Sequence, residues 1–200
     1  MAKSASSSQR RRRSPRNLVK RILVVSEGEQ TEPQYVERLA SFLRSKESST
    51  HVKWVGVGKD PLKVVRKCIE LREDAANKEK GYDICVSLVD VDQHALLDAA
   101  CALARKEQIY LLVTNLKFEM WLRWHVEDSR SVLNSSKLDE LVTKLGIIKG
   151  KALPASFPIE KVDAACNVAR IADPNLDICR VGPDPSSSMP VLVDLLRGER

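Results

Sequence analysis

The chain has 200 residues, 43% hydrophobic and 30% charged, which fits one globular domain, or one domain with an appendage, and a proper core. No apolar run reaches the roughly 18 residues needed to span a bilayer, which argues against an integral membrane protein. The net charge of +6 is unevenly spread: residues 1–21 hold eight Lys and Arg and no acid, leaving 25 basic against 27 acidic residues in the remainder.

In chain order, the first feature is a basic tail, residues 1–20. Its arginines, Arg10, Arg11, Arg12, Arg13 and Arg16, lie among serines with no apolar residue close by, so this segment is expected to lack a core-forming face. It reads either as an arm for nucleic-acid phosphates or as a merely solvated tail. No apolar stretch follows the arginines at once, so a cytoplasmic protein without a secretory signal is expected. The five cysteines form no CxxC pair, and four lie in apolar helical or strand patterns, which predicts reduced, mostly buried thiols.

Ile22 to Val25 reads as a short buried strand that stops at Ser26-Glu27-Gly28. Gly28 serves a tight turn or a close backbone approach. Thr31 is expected to cap the next helix, with Gln34 at the capping-box position and Tyr35, Val36, Leu39, Phe42 and Leu43 at helical spacing. Val52 to Val57 is a second strand, and Asp60-Pro61 starts a helix running to about Asn77. Asp83 to Asp90 is a buried strand, Ala95 to Arg105 a helix, and Ile109 to Thr114 another strand. Strand and helix in alternation predict an α/β fold with a mostly parallel sheet flanked by helices, over residues 21–125. From there to residue 200 the pattern predicts a helical extension packed on that sheet. Its helices are Leu138 to Leu145, closed by Gly146, then Ile159 to Ala172 and Pro190 to Leu196. Just before it, Lys117 to Trp124 is a short helix carrying Phe118, Trp121 and Leu122, the last two expected in the core.

The residues that carry chemistry are Glu27, Asp90 and Asp92. Glu27 ends the strand ILVV as Asp90-Val91-Asp92 ends the strand ICVSLV. In open α/β sheets the carboxyl ends of strands are where ligands bind. If these two strands are neighbours, three carboxylates meet there and repel one another, and a hard divalent cation bound through oxygen relieves the repulsion. The alternative is that Asp90 and Asp92 only cap the following helix.

The runs Ser26-Glu27-Gly28-Glu29-Gln30-Thr31-Glu32 and Asp90-Val91-Asp92 resemble a TOPRIM domain, the α/β module of primases, topoisomerases and OLD-type nucleases. With Asn115-Leu116-Lys117-Phe118-Glu119-Met120-Trp121-Leu122 and Asp184-Pro185-Ser186-Ser187-Ser188, the chain is more similar still to RloB-like proteins, a prokaryotic family tied to phage defence. Four motifs occur in the family's order across residues 21–197; Leu116-Lys117 departs from it, where a proline and a small residue are expected. The resemblance implies a TOPRIM/Rossmann-like fold, with Glu27 as general acid or base and the DxD pair holding Mg²⁺ or Mn²⁺. Glu32 reads as a further metal ligand or a favourable first-turn acid. Asn115 and Glu119 bracket the end of the fourth strand, within reach of the same edge, although Glu119 also fits a solvated helix face. His125 is a candidate phosphate contact or a structural histidine, and Ser186 to Ser188 bind phosphate or cap the last helix.

The function expected from this is a metal-dependent nuclease, with RNA favoured over DNA, acting in antiviral defence. Two alternatives stay open: a DNA endonuclease or nickase, and a noncatalytic sensor or partner of an ATPase-containing complex. The chain has no GxxxxGK[ST] run, so an ATPase would be another subunit. A homodimer is also compatible with the sequence.

Overall fold

A computed structural model describes residues 20–44, 50–58, 60–91 and 96–200. Asp92 and the arginines of the basic tail lie outside these residues.

The described chain forms β1 (Lys20–Ser26), α1 (Thr31–Leu43), β2 (Thr50–Gly56), α2 (Pro61–Asn77), β3 (Ile84–Asp90), α3 (Leu97–Lys106) and β4 (Tyr110–Asn115). Then come α4 (Phe118–Arg123), α5 (Ser135–Lys144), a 3-10 turn at Ile159–Lys161, α6 (Val162–Ala172), β5 (Ser186–Ser187) and α7 (Met189–Arg197). The strands lie in the order β2-β1-β3-β4-β5. β1 to β4 are parallel, and β5 runs antiparallel to β4.

The strands carry continuous apolar runs because both faces of the sheet are covered. Alternation of side chains sends Ile22 and Val24 to one face, against α1 and the later helices α4 to α7. Leu23 and Val25 go to the other face, against α2 and α3. Residues after 125 therefore share a core with β1 and α1 and add a strand to the same sheet. All five cysteines are free and buried. Asp60 caps α2 as its position predicts, accepting from the Lys63 N–H at 3.1 Å, and Gly146 follows α5 with a left-handed φ of 67°.

One local expectation is corrected. No capping box forms at α1, because Thr31 and Gln34 are used in longer-range bonds. Thr31 Oγ1 donates to the Lys151 carbonyl at 2.9 Å, and the Leu153 N–H donates to Gln34 Oε1 at 2.9 Å. The segment Ser186 to Ser188 leads into α7: Ser188 is its N-cap position, and Ser187 Oγ accepts from the Met189 N–H at 3.4 Å. Ser186 and Ser187 form β5 and are buried. Ser187 Oγ bonds Thr114 Oγ1 at 2.9 Å, and Ser188 Oγ accepts from the Val113 N–H at 2.7 Å. These hydroxyls stitch the start of α7 to β4.

Candidate active site

β1 and β3 are parallel neighbours, with Ser26 opposite Leu88. The ladder continues one step further, the Glu27 N–H donating to the Leu88 carbonyl at 3.0 Å. Glu27 thus leaves the sheet at the carboxyl edge beside the end of β3, where Asp90 stands. On the other side of Asp90, β4 ends and α4 starts, with Glu119 in its first turn. Glu32 comes from the first turn of α1. Five carboxylates line one cleft of about 470 Å³ together with Gly28, Gly58 and Lys151: these four, from two strand ends and two helix starts, and Glu29 from the turn between β1 and α1.

The turn between β1 and α1 is built around Glu32. The Gly28 N–H donates to Glu32 Oε1 at 3.0 Å. A Cβ on residue 28 would collide with that carboxylate, so a larger residue there would displace Glu32 from this contact. The opposite wall is held by α1. Arg38 donates to the carbonyls of Leu153 (2.6 Å) and Pro154 (2.5 Å), beside the bonds from Thr31 and Gln34. The turn itself is closed by reciprocal bonds between Lys149 and Ala152, of 2.9 and 3.1 Å. Lys151, inside that turn, is thereby placed at the rim of the cleft, whose lining it joins.

The electrostatics follow from this crowding. Burial first, then the charges of Glu32, Glu119 and Glu27, push the Asp90 carboxyl well above the ordinary carboxylate range. Burial, with Glu119 and Glu27 adding, raises Glu32 to about 7, against the opposing pull of the Gly28 amide. Burial also raises Glu119, with Lys117 pulling the other way. A site that makes carboxylates hold protons more tightly is one that favours a compensating cation.

An oxygen-rich anionic donor set of this kind suits Mg²⁺ or Mn²⁺. Glu27, Glu32 and Asp90 are the residues that would hold it. Among the described residues no group of three or more His, Cys, Asp or Glu side chains is placed to hold a metal ion as they stand. Glu32 is turned to Gly28, so its carboxylate would have to rotate to become a ligand.

Of the other residues singled out in the sequence, Asn115 lies at the end of β4, before a cis Asn115–Leu116 peptide, and its Nδ2 donates to the Gly182 carbonyl at 3.2 Å. His125 is corrected: it is 1% exposed and cannot be presented to a nucleic acid. It packs edge-on against Tyr35 and Trp121 and lies against Phe157. Its Nδ1 lies 3.2 Å from the Trp121 carbonyl, which can only accept. Nδ1 therefore carries the proton, and Nε2 accepts from the Tyr35 hydroxyl at 3.2 Å. Burial holds this imidazole down at about 4. Trp121 and Leu122 are core residues as expected.

Lys151 is the cleft residue that sequence reasoning missed. It sits in a proline-containing stretch far along the chain, and only the long-range bonds from α1 bring it to the acids.

No curated protein matches the chain. The family model described as RloB-like protein matches residues 22–196, nearly the whole described fold and every acid of the cleft. The chain belongs to the RloB-like family.

Proposed function

We propose that the cleft is the active site of a divalent-metal-dependent nuclease that hydrolyses phosphodiester bonds, RNA in preference to DNA, as an effector of a prokaryotic antiviral system. The observation that carries this is the convergence of Glu27, Glu32, Asp90 and Glu119 at the carboxyl edge of a parallel sheet, in a cleft that Lys151 also lines. The resemblance of the Glu27 and Asp90 motifs to TOPRIM domains supports the same chemistry, and the family's tie to phage defence supports the setting.

When bound, Mg²⁺ or Mn²⁺ lowers the pKa of a water and takes up charge on phosphate oxygens. Glu27 and Asp90 would hold it, with Glu32 and Asp92 the remaining candidates. Glu27 acts as general acid or base: as a base it takes the proton of the attacking water. The water oxygen bonds to phosphorus, the bond to the departing sugar oxygen breaks, and that oxygen takes up a proton from solvent. Lys151 supplies the positive charge that draws a phosphate into a cleft otherwise lined by acids. Burial of the cleft strengthens each of these interactions relative to bulk water.

The test is direct. Purified protein is incubated with tRNA, single-stranded DNA and plasmid, each with Mg²⁺, Mn²⁺ or EDTA, alongside Glu27→Gln, which keeps shape but loses basicity. Cleavage of RNA that needs metal and disappears in Glu27→Gln is expected. Cutting confined to the plasmid points to the DNA endonuclease, and no cutting in any arm points to a noncatalytic cation site in a partner subunit.

A further inference from the structure

At the opposite, amino-terminal edge of the sheet lies a second concavity, of about 340 Å³, where α2 ends beside the starts of β1 and β2. Its cations are Arg21, Lys53, Lys78 and Lys80, with His51 beside them. Among the described residues its lining holds one carboxylate, Asp74. Cross-strand register sets Arg21 against His51 and Leu23 against Lys53, so Arg21, His51 and Lys53 share one face of the β1–β2 pair. His51, Lys53, Lys78 and Lys80 are exposed. Several other surface cations have carboxylate partners, such as Lys67 with Glu70 and Arg72 with Glu107. Among the described residues none of the ion pairs involves Arg21, Lys53, Lys78 or Lys80.

The arrangement is also held in place. The Arg21 N–H donates to the Asp83 carboxylate at 2.7 Å, and the Asp83 N–H returns to the Arg21 carbonyl at 2.8 Å. This clamps the start of β1 to the 82–83 turn. The Arg21 guanidinium lies 5.1 Å from the centre of the Tyr82 ring, which keeps its donors at the pocket instead of free in solvent. In the sequence, the last arginine of the basic tail, Arg16, precedes Arg21 by five positions.

We infer that this edge is a binding site for the phosphodiester backbone of a nucleic acid, distinct from the acidic cleft; the inference rests on the reading of the chain as a nucleic-acid enzyme. Four cations that pair with no carboxylate among the described residues, set around a concave floor of Leu71, Ala75 and Tyr82, suit consecutive phosphates with a sugar or base edge between them. β1 advances about 3.3 Å per residue, so the site stands about 20 Å from Glu27. A cleft that repels phosphates with its own acids gains substrate by holding the strand elsewhere, on a surface of opposite sign.

The experiment measures binding of a labelled single-stranded RNA of about 20 nucleotides to the full chain in EDTA, across a salt series, so that cleavage plays no part. The variant Lys53→Gln/Lys78→Gln/Lys80→Gln is compared with Lys137→Gln/Lys144→Gln/Lys161→Gln, which removes the same charge elsewhere. Every phosphate that a lysine no longer neutralises flattens the plot of log affinity against log salt by about 0.7, so the first variant should lose a slope of about 2. Its affinity at 0.1 M salt should fall roughly 10- to 100-fold, while the second variant stays near wild type. Equal effects of the two triples, or none from the first, overturn the site. So does retention of RNA affinity by a first variant that instead loses an acidic peptide such as polyglutamate. Failure of the nuclease reading shows separately, as binding that depends on these lysines in a protein that cuts nothing.

Discussion

Glu32→Gln isolates the electrostatic cost of the cleft. Glutamine keeps the oxygen that accepts from the Gly28 N–H, so charge is the main change. In the folded protein Glu32 is raised from 4.5 to about 7, first by burial. A group whose folded pKa lies above its unfolded value contributes stability that is fully present below the unfolded pKa, near 4.5, and is lost as pH rises through the folded value, about 7. At about 1.4 kcal/mol per pH unit the loss is about 3.5 kcal/mol, and partial solvent access at the cleft mouth trims it to about 2. For a chain of this size 1 kcal/mol moves Tm by about 2–4 °C. Melting curves in EDTA from pH 4.5 to 8.5 should therefore nearly coincide for the two proteins at the acid end. At pH 8.5 Glu32→Gln should melt about 4–8 °C higher. Millimolar Mn²⁺ at that pH should raise wild type more than the variant, because a ligand stabilises only the state that binds it. Parallel curves at every pH, or a variant less stable at pH 8.5, would refute the account of a crowded acidic cleft.

Trp121→Ala should destabilise the fold by about 3–5 kcal/mol, read from chemical denaturation, since the indole is fully buried between Tyr35 and His125; full stability with lost activity would place Trp121 at the substrate instead. The His125 ring, followed by NMR, should stay neutral down to about pH 4. Its folded pKa is depressed, so its contribution to stability is present above about 6.5 and is lost as pH falls through about 4; a midpoint near 6.5 would contradict its burial. Removing residues 1–17 should weaken nucleic-acid binding and flatten its salt dependence, and unchanged affinity at low salt would make the arm irrelevant.

What was legible in the sequence was local. A run such as Ile22 to Val25 can be read as a strand because both sheet faces bury it, and Glu27 and Asp90 could be paired because each ends such a run. Glu119 was legible only through its motif, since a first-turn acid has the same local signature in a cleft as on a solvated face. Residues whose meaning depends on distant partners were not legible. Thr31 and Gln34 have the spacing of a capping box, yet a turn more than a hundred residues away takes their hydrogen bonds and delivers Lys151. β5 is two serines long and pairs only because α7 brings it to β4, so neither periodicity nor propensity announces it. A lone histidine at a helix end gives no sign of the aromatic cage that Tyr35 and Phe157 build around His125.

The central claim is that the acids at the carboxyl edge of the sheet are a divalent-metal centre. Titrating metal-free full-length protein with Mn²⁺, followed by calorimetry or by the loss of the free-ion EPR signal, tests it without reference to substrate. Wild type should bind saturably, and Asp90→Asn should bind at least about ten-fold more weakly. Absence of saturable binding in wild type, or equal affinity in the two proteins, would contradict the claim.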